Sequence, residues 1–326
     1  GEDGVGQGMA QMFNMMNEER LMTGLSATAL AAVAYHNAAD YARQRIQGKA
    51  TANPKGDQVA IINHEDIRRG LMFQKSMIEA FRAMAISTFY LVDIKKNSND
   101  PDKVQWASNI SDVNIPLVKA FCSDYALECI SAALQIYGGY GFSEEYPVAE
   151  LYRDARIYPI WEGTNYIQAM DLVGRKMTMR KGQVFADWLK HITDFVETNN
   201  SNPDFAREFE LMKKAQQQFN EIVDILNNWR NDGKESQLKL FATRVLHATG
   251  KLYAAKLLLE MALLAQQKLA ALDKDHYDYA FYQGKVASAR FFVRNILPEV
   301  GALVDILKEQ DCTAIEVEEA VLGIIS

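Results

Sequence analysis

From Leu238, steps of three or four residues meet Phe241, Val245, Ala248, Leu252, Ala255, Leu259 and Ala262, and every one is apolar. That spacing follows the 3.6-residue turn of an α-helix, so the run predicts a long helix with one buried face. The same period returns in Tyr279, Tyr282, Val286, Ala289, Val293 and Ile296, just before Pro298. Alternation of apolar and polar residues, the mark of a half-buried strand, is missing over any useful length. The pattern predicts an all-α protein. Long helices are expected over about residues 8–47, 64–97 and 112–137, and a shorter one over 164–180. The polar stretch "ETNNSNPD" at residues 197–204 reads as a connector. About four further helices, rich in Ala, Leu, Lys and Gln, are expected beyond it as a second bundle. The domain boundary is placed in the region 181–204.

Composition narrows the function classes. The 326 residues carry a net charge of -7 and are 48% hydrophobic, which suits a globular chain with room for two domains. An acidic balance opposes non-specific nucleic-acid binding, which needs a basic face to displace counterions. Cys122 and Cys129 are spaced along one helix face and Cys312 is remote, so reduced, buried thiols are expected rather than a disulfide framework. The five histidines are scattered without metal-binding spacing, and no metal is expected. No run of about 18 apolar residues predicts a membrane span. The opening "GEDGVGQGMAQ" does not read as a signal peptide, and a cytoplasmic protein is expected.

One stretch invites a chemical reading. In "YRDARIYPIWEGTNYIQ", residues 152–168, Glu162 stands between Trp161 and Gly163 where a loop becomes a helix. An acidic residue is favoured at a helix N-terminus by the peptide dipoles alone. A carboxylate beside a large aromatic can also serve as a base, because a dry surrounding disfavours its charged form and raises its pKa. Gly163 would let backbone approach a bound molecule closely.

The segment "ALQIYGGYGFSEEYPVAELYRDARIYPIWEGTNYIQ" resembles the C-terminal helical domain of acyl-CoA dehydrogenases, flavoenzymes that desaturate acyl-CoA thioesters. It joins a Q-I-x-G-G-x-G-F turn, a Y-R-D-A-R-I segment and an x-E-G-T-x-x-I-Q segment in the family's order. "MMNEERL" and "YARQRIQGK", which open and close the first long helix, agree with it. The resemblance covers roughly residues 1–180. "GTNYIQAMDLVGRK" and "HEDIRRGL", with a helical extension behind them, look most like the subgroup containing 3-methylmercaptopropionyl-CoA dehydrogenase.

The resemblance implies a four-helix-bundle domain over residues 1–181 and a helical extension over 182–326. It implies that the family's N-terminal helical and middle β domains lie outside this chain, and that the chain alone is inactive. Glu162 becomes the base that removes the α-proton of an acyl-CoA while FAD takes hydride from the β-carbon. Glu19 is the runner-up, since some branches place the base at the matching helix position. Arg20 looks like the family's arginine beside the base. Trp161, Gly163 and Asn17 are expected near substrate. Arg45, Gln47, Gln135, Gly138 and Gly139 resemble the residues that hold the adenylate half of FAD, in the family a neighbouring subunit's. Thr164 and Tyr166 are expected on the flavin side, with Thr164 capping the helix. The family's "QFGR" is shortened to "QGK" here, so the resemblance does not carry over the family's aromatic flavin contact. A homodimer or homotetramer and electron-transfer flavoprotein as acceptor are implied as well. The competing reading is a non-catalytic helical assembly domain of the same fold.

Overall fold

The computed structural model describes residues 2–323. Helix α1, Gly8–Gln44, carries Ala27, Ala31, Ala34, Ala38 and Ala42 at three- and four-residue spacing, and all five are fully buried. Small side chains on one stripe let neighbouring helices approach closely, and α1 packs on several of those that follow. Its C-cap, Arg45, turns into extended backbone (ψ 116°), ending the helix before residue 47, the end expected from sequence. Strand β1, Ile46–Lys49, then pairs antiparallel with β2, Gln58–Ala60. This short ribbon is the one sheet among the described residues of an otherwise helical fold.

Helix α2, Glu65–Asn97, opens on Glu65 and Asp66 and closes on Lys95 and Lys96, each charge set to complement the helix dipole. Asp100 caps α3, Pro101–Pro116, accepting from the backbone N–H of Asp102 at 3.0 Å and of Lys103 at 3.3 Å. The third long helix thus begins near residue 101, earlier than the expected 112. It runs on through Pro116, which has no N–H to give to the preceding turn, into a π-helical turn, Leu117–Phe121. Helix α4, Cys122–Tyr137, completes the run and stops at Gly138, whose φ of 61° admits the change of direction. Short helices α5, Gly139–Phe142, and α6, Pro147–Ala155, lead into the loop carrying Glu162.

The helix expected over 164–180 is broken. Helix α7, Asn165–Met170, passes into a second π-helical turn, Asp171–Lys176, and Arg180 and Lys181 adopt left-handed backbone before the next helix. That helix, α8, Gln183–Asn199, takes most of the region in which the boundary was sought. Val184, Phe185, Trp188, Ile192 and Val196 form its buried stripe, and the polar linker shrinks to the residues just after it. Helices α9, Ala206–Asn231, α10, Glu235–Leu269, α11, Tyr279–Asn295, and α12, Glu299–Glu309, follow.

Helix α10 is buried beyond the one predicted face. It packs on α2, α7 and the first π turn as well as on α9 and α11, so a single hydrophobic core runs through the molecule. Buried polar groups tie the parts together. Trp188 on α8 donates to Asn114 Oδ1 at 2.9 Å, and Asn114 donates to the Tyr253 hydroxyl on α10 at 3.0 Å. Cys122 and Cys129 are buried free thiols, as expected. Trp188 and Trp229 are core residues, whereas Tyr277 is 86% exposed.

Candidate active site

The loop before α7 is closed by its own backbone: the Asn165 N–H donates to the Pro159 carbonyl at 3.0 Å. Inside that closure Glu162 has φ 56° and Gly163 φ 81°, two left-handed residues in succession. A glutamate held there is strained, and such strain persists only where the surroundings enforce it. Thr164 caps α7, its hydroxyl accepting from the Ile167 N–H at 3.4 Å. Glu162 is half-buried; Trp161 is 44% exposed and edge-on to Tyr158. Tyr166 is exposed and its hydroxyl reaches the Lys239 carbonyl of α10 at 3.5 Å.

Arg20 comes to this loop from α1. A Cβ built on Gly163 would stand 3.9 Å from an Arg20 guanidinium nitrogen. Arg20 is buried, its Nη1 donates to Asn17 Oδ1 at 3.4 Å, and its Nε has no partner. Burial lowers its pKa, while the charges of Asp171 and Glu162 oppose that shift and Arg175 adds to it. A buried guanidinium with an unused donor is an open position for a carboxylate. Asn17 is half-buried and also borders a cavity of about 270 Å³ with Glu18, Leu21 and Asp112. Glu19, by contrast, is exposed, since the residue next to Arg20 on a helix faces another side.

A second cation lies behind the loop. Lys119, on the first π turn, is fully buried and donates to Asn165 Oδ1 at 2.7 Å. Burial pulls its pKa down to about 8, against the raising effect of Asp124. A desolvated ammonium costs several kcal/mol unless it is hydrogen-bonded and near opposite charge; Asn165 supplies the hydrogen bond and Asp124 the nearby charge.

The remaining expected residues gather elsewhere. Arg45, Gln47, Gln135, Gly138 and Gly139 line one cleft of about 720 Å³ at the far end of α1. Nothing lies within 4 Å of a Cβ built on Gly138 or Gly139, so their backbone is open to a bound molecule. The Arg45 guanidinium stands 5.9 Å from the Tyr140 ring centre. Gln47 is in β1 rather than in a helix, where its carbonyl meets His64 Nε2 at 2.7 Å. Twenty-five residues of helix, at about 1.5 Å each, set this cleft roughly 37 Å from Arg20. The sequence therefore marks two places, one at each end of α1. Among the described residues no cluster of His, Cys, Asp and Glu is arranged for a metal ion, and no helix is long and apolar enough to cross a membrane.

Comparison with known proteins decides the family. Residues 6–177 match the profile described as "Acyl-CoA dehydrogenase, C-terminal domain". The chain belongs to the acyl-CoA dehydrogenase family. Residues 188–318 match a second profile, "Acetyl-CoA dehydrogenase C-terminal like". A butyryl-CoA dehydrogenase of Syntrophomonas wolfei is 45% identical over 98% of the chain and 52% of the relative. The 3-methylmercaptopropionyl-CoA dehydrogenase of Ruegeria pomeroyi is 35% identical over 90% of the chain and 49% of the relative. The chain thus spans about half the length of the curated relatives it matches. The crystal structure of Caenorhabditis elegans ACDH-11 in complex with C11-CoA shares the fold, with a TM-score of 0.71 at 16% identity over 93% of this chain and 48% of that one.

Sequence reasoning missed Lys119, Asp124 and Asn165, and gave His64 no role of its own. A lone lysine inside the apolar run "IPLVKAFC" was the available signal for Lys119. His64 lay in a phrase noted for its subgroup likeness, with nothing to mark it as a clamp on the ribbon. Asp124 and Asn165 lack any local pattern, because their partners are distant in sequence.

Proposed function

We propose that this chain is the C-terminal portion of an FAD-dependent acyl-CoA dehydrogenase that introduces an α,β double bond into an acyl-CoA thioester. One observation carries the reading. Glu162 is held on a strained left-handed turn beside the buried Arg20, whose Nε is unpartnered.

In this reading the Glu162 carboxylate removes the α-proton, and Arg20 orients it. The backbone N–H of Glu162 polarises the thioester carbonyl. Thr164 fixes the start of α7, and Trp161, Gly163 and Asn17 border the acyl-CoA. FAD, when bound, accepts a hydride from the substrate β-carbon. Its adenylate half suits the cleft of Arg45, Gln47, Gln135, Gly138 and Gly139, where a guanidinium matches phosphate oxygens and the glycine edge is open. Thr164 and Tyr166 serve the flavin side. Glu19, exposed on α1, is the weaker candidate for the base.

The 37 Å between the two places exceeds the reach of one dinucleotide. The reading therefore requires a homodimer or homotetramer, in which one subunit's cleft serves its neighbour's flavin. Residues 1–181 form the family's helical domain and residues 182–326 the extension. Electron-transfer flavoprotein is the proposed acceptor.

The test is an enoyl-CoA product assay on the complete gene product across acyl-CoAs of graded length. Enoyl-CoA formation with bound FAD reduced by substrate is expected. A purified gene product that binds no FAD and forms no enoyl-CoA from any of them would leave a helical assembly protein instead.

A further inference from the structure

The extension, residues 182–326, supplies none of the groups assigned to the reaction above, yet one of its side chains is linked through a single residue to the start of α7, which closes the loop that carries Glu162. His247 on α10 places Nε2 2.8 Å from Asp124 Oδ2 on α4. Asp124 Oδ1 in turn accepts from the Asn165 side-chain amide at 2.6 Å. That amide is also within reach of Ser123 Oγ at 2.9 Å and the Ala120 carbonyl at 3.2 Å, and its oxygen accepts from Lys119 at 2.7 Å. Asn165 is buried and is the first residue of α7, three positions after Glu162. Its backbone N–H closes the loop onto Pro159.

We propose that His247 is a positioning residue: through Asp124 and Asn165 it fixes the loop that presents Glu162, so a side chain of the extension supports the base without touching it. The carboxylate can only accept, so His247 Nε2 must carry a hydrogen, and the tautomer with hydrogen on Nδ1 alone is excluded. Packing supports the same link. Gly250 lies one turn along α10 from His247, and a Cβ there would stand 2.5 Å from the Phe121 ring. Helix α10 therefore lies directly on the π turn that carries Lys119. The other groups facing this pair are Tyr125, whose ring centre is 5.2 Å from that of His247, Glu128, which interacts electrostatically with both members of the pair and with Lys251 and Glu299, and Lys119, which interacts with Asp124. A histidine that merely joined α10 to α4 would leave the loop beyond Asn165 indifferent to its removal.

Hydrogen exchange of the full chain separates the two roles without any assay of turnover. The replacement His247→Ala is expected to speed exchange at Ile160, Trp161 and Asn165, the backbone amides that hold the loop, by about tenfold or more. Asn165→Ala is expected to do the same, and His247→Gln, whose amide N–H can still donate to Asp124, to restore slow exchange. Should His247→Ala fail to fold, His247→Phe keeps a ring in the same place without the N–H and is read identically. Loop amides unchanged in the variant that breaks the His247–Asp124 contact, while Asn165→Ala frees them, would overturn the inference. The consequence for catalysis rests on the proposed role of Glu162. In the complete gene product, His247→Ala should lower kcat with little change in KM, and His247→Gln should recover it. A loosened loop with unaltered turnover would support the positioning link and count against Glu162 instead.

Discussion

Glu162 at φ 56° and Gly163 at φ 81° make a turn that ordinary side chains resist, and Asn165, Thr164 and Arg20 surround it. A left-handed L-residue costs about 1–2 kcal/mol, which Gly163 avoids and Glu162 does not. Replacing Gly163 by alanine adds that strain and brings a Cβ to 3.2 Å from Gln168 Nε2. A loss of about 1–2 kcal/mol in urea unfolding is expected; an unchanged midpoint would show that the turn is not held as described. His191 on α8 gives a second single-residue test. Its ring is edge-on to Trp106 at 5.8 Å, and burial holds its pKa down at about 4, with Lys256 adding to the shift and Glu260 and Asp194 opposing it. The unfolded chain protonates this histidine near pH 6.5. Between about pH 4 and 6.5 the unfolded state binds more protons, so this group's contribution to stability is lost as pH falls through that window. The His191→Phe variant should show a shallower decline there than the parent, and NMR should find the parent imidazole neutral at pH 5. An imidazole titrating near 6.5 would contradict the placement.

At the scale of elements, the first π turn is the joint on which the helices meet. Gly24 of α1 and Gly250 of α10 face it from different helices: a Cβ on Gly24 would lie 2.1 Å from the Val118 carbonyl oxygen, and one on Gly250 2.5 Å from the Phe121 ring. Neither the backbone nor an aromatic ring in a packed core yields cheaply. Alanine at either position should destabilise by about 1–3 kcal/mol, the usual cost of overpacking, read as a lower urea midpoint. Two neutral substitutions would mean that the helices do not cross where described. This joint also marks what a sequence can disclose. The stripes of α10 and α11 follow from spacing alone, because each helix buries a face whatever it packs against. The π turns, the ribbon at Ile46–Lys49 and the link from Lys119 to Asn165, 46 residues apart, arise from contacts between distant segments. No local period records them. Glu162 drew notice from its neighbours, but Arg20, Arg45, Gly138 and Gly139 were legible only through family motifs, and the structure brings Arg20 to the Glu162 loop while gathering Arg45 with Gly138 and Gly139 elsewhere.

For the whole molecule the separation along α1 has a direct consequence. If the cleft at Arg45 serves a neighbouring subunit, defects at the two ends belong to different sites. Mixed dimers of a Glu162→Gln chain and an Arg45→Ala chain, each nearly inactive alone, should regain up to about half the parent activity per dimer, because one of the two pairings keeps both wild-type groups. Absence of recovery in isolated mixed dimers would place both groups on one subunit's flavin. The central claim is that Glu162 is the base, and the rate at which acyl-CoA reduces the bound flavin in the complete gene product measures it most directly. Changing Glu162 to Gln should slow that step by roughly a hundred- to ten-thousand-fold with FAD retained, while Glu19→Gln stays near the parent rate. A near-parent rate in the first variant and a collapse in the second would transfer the proton abstraction to Glu19 and contradict the account.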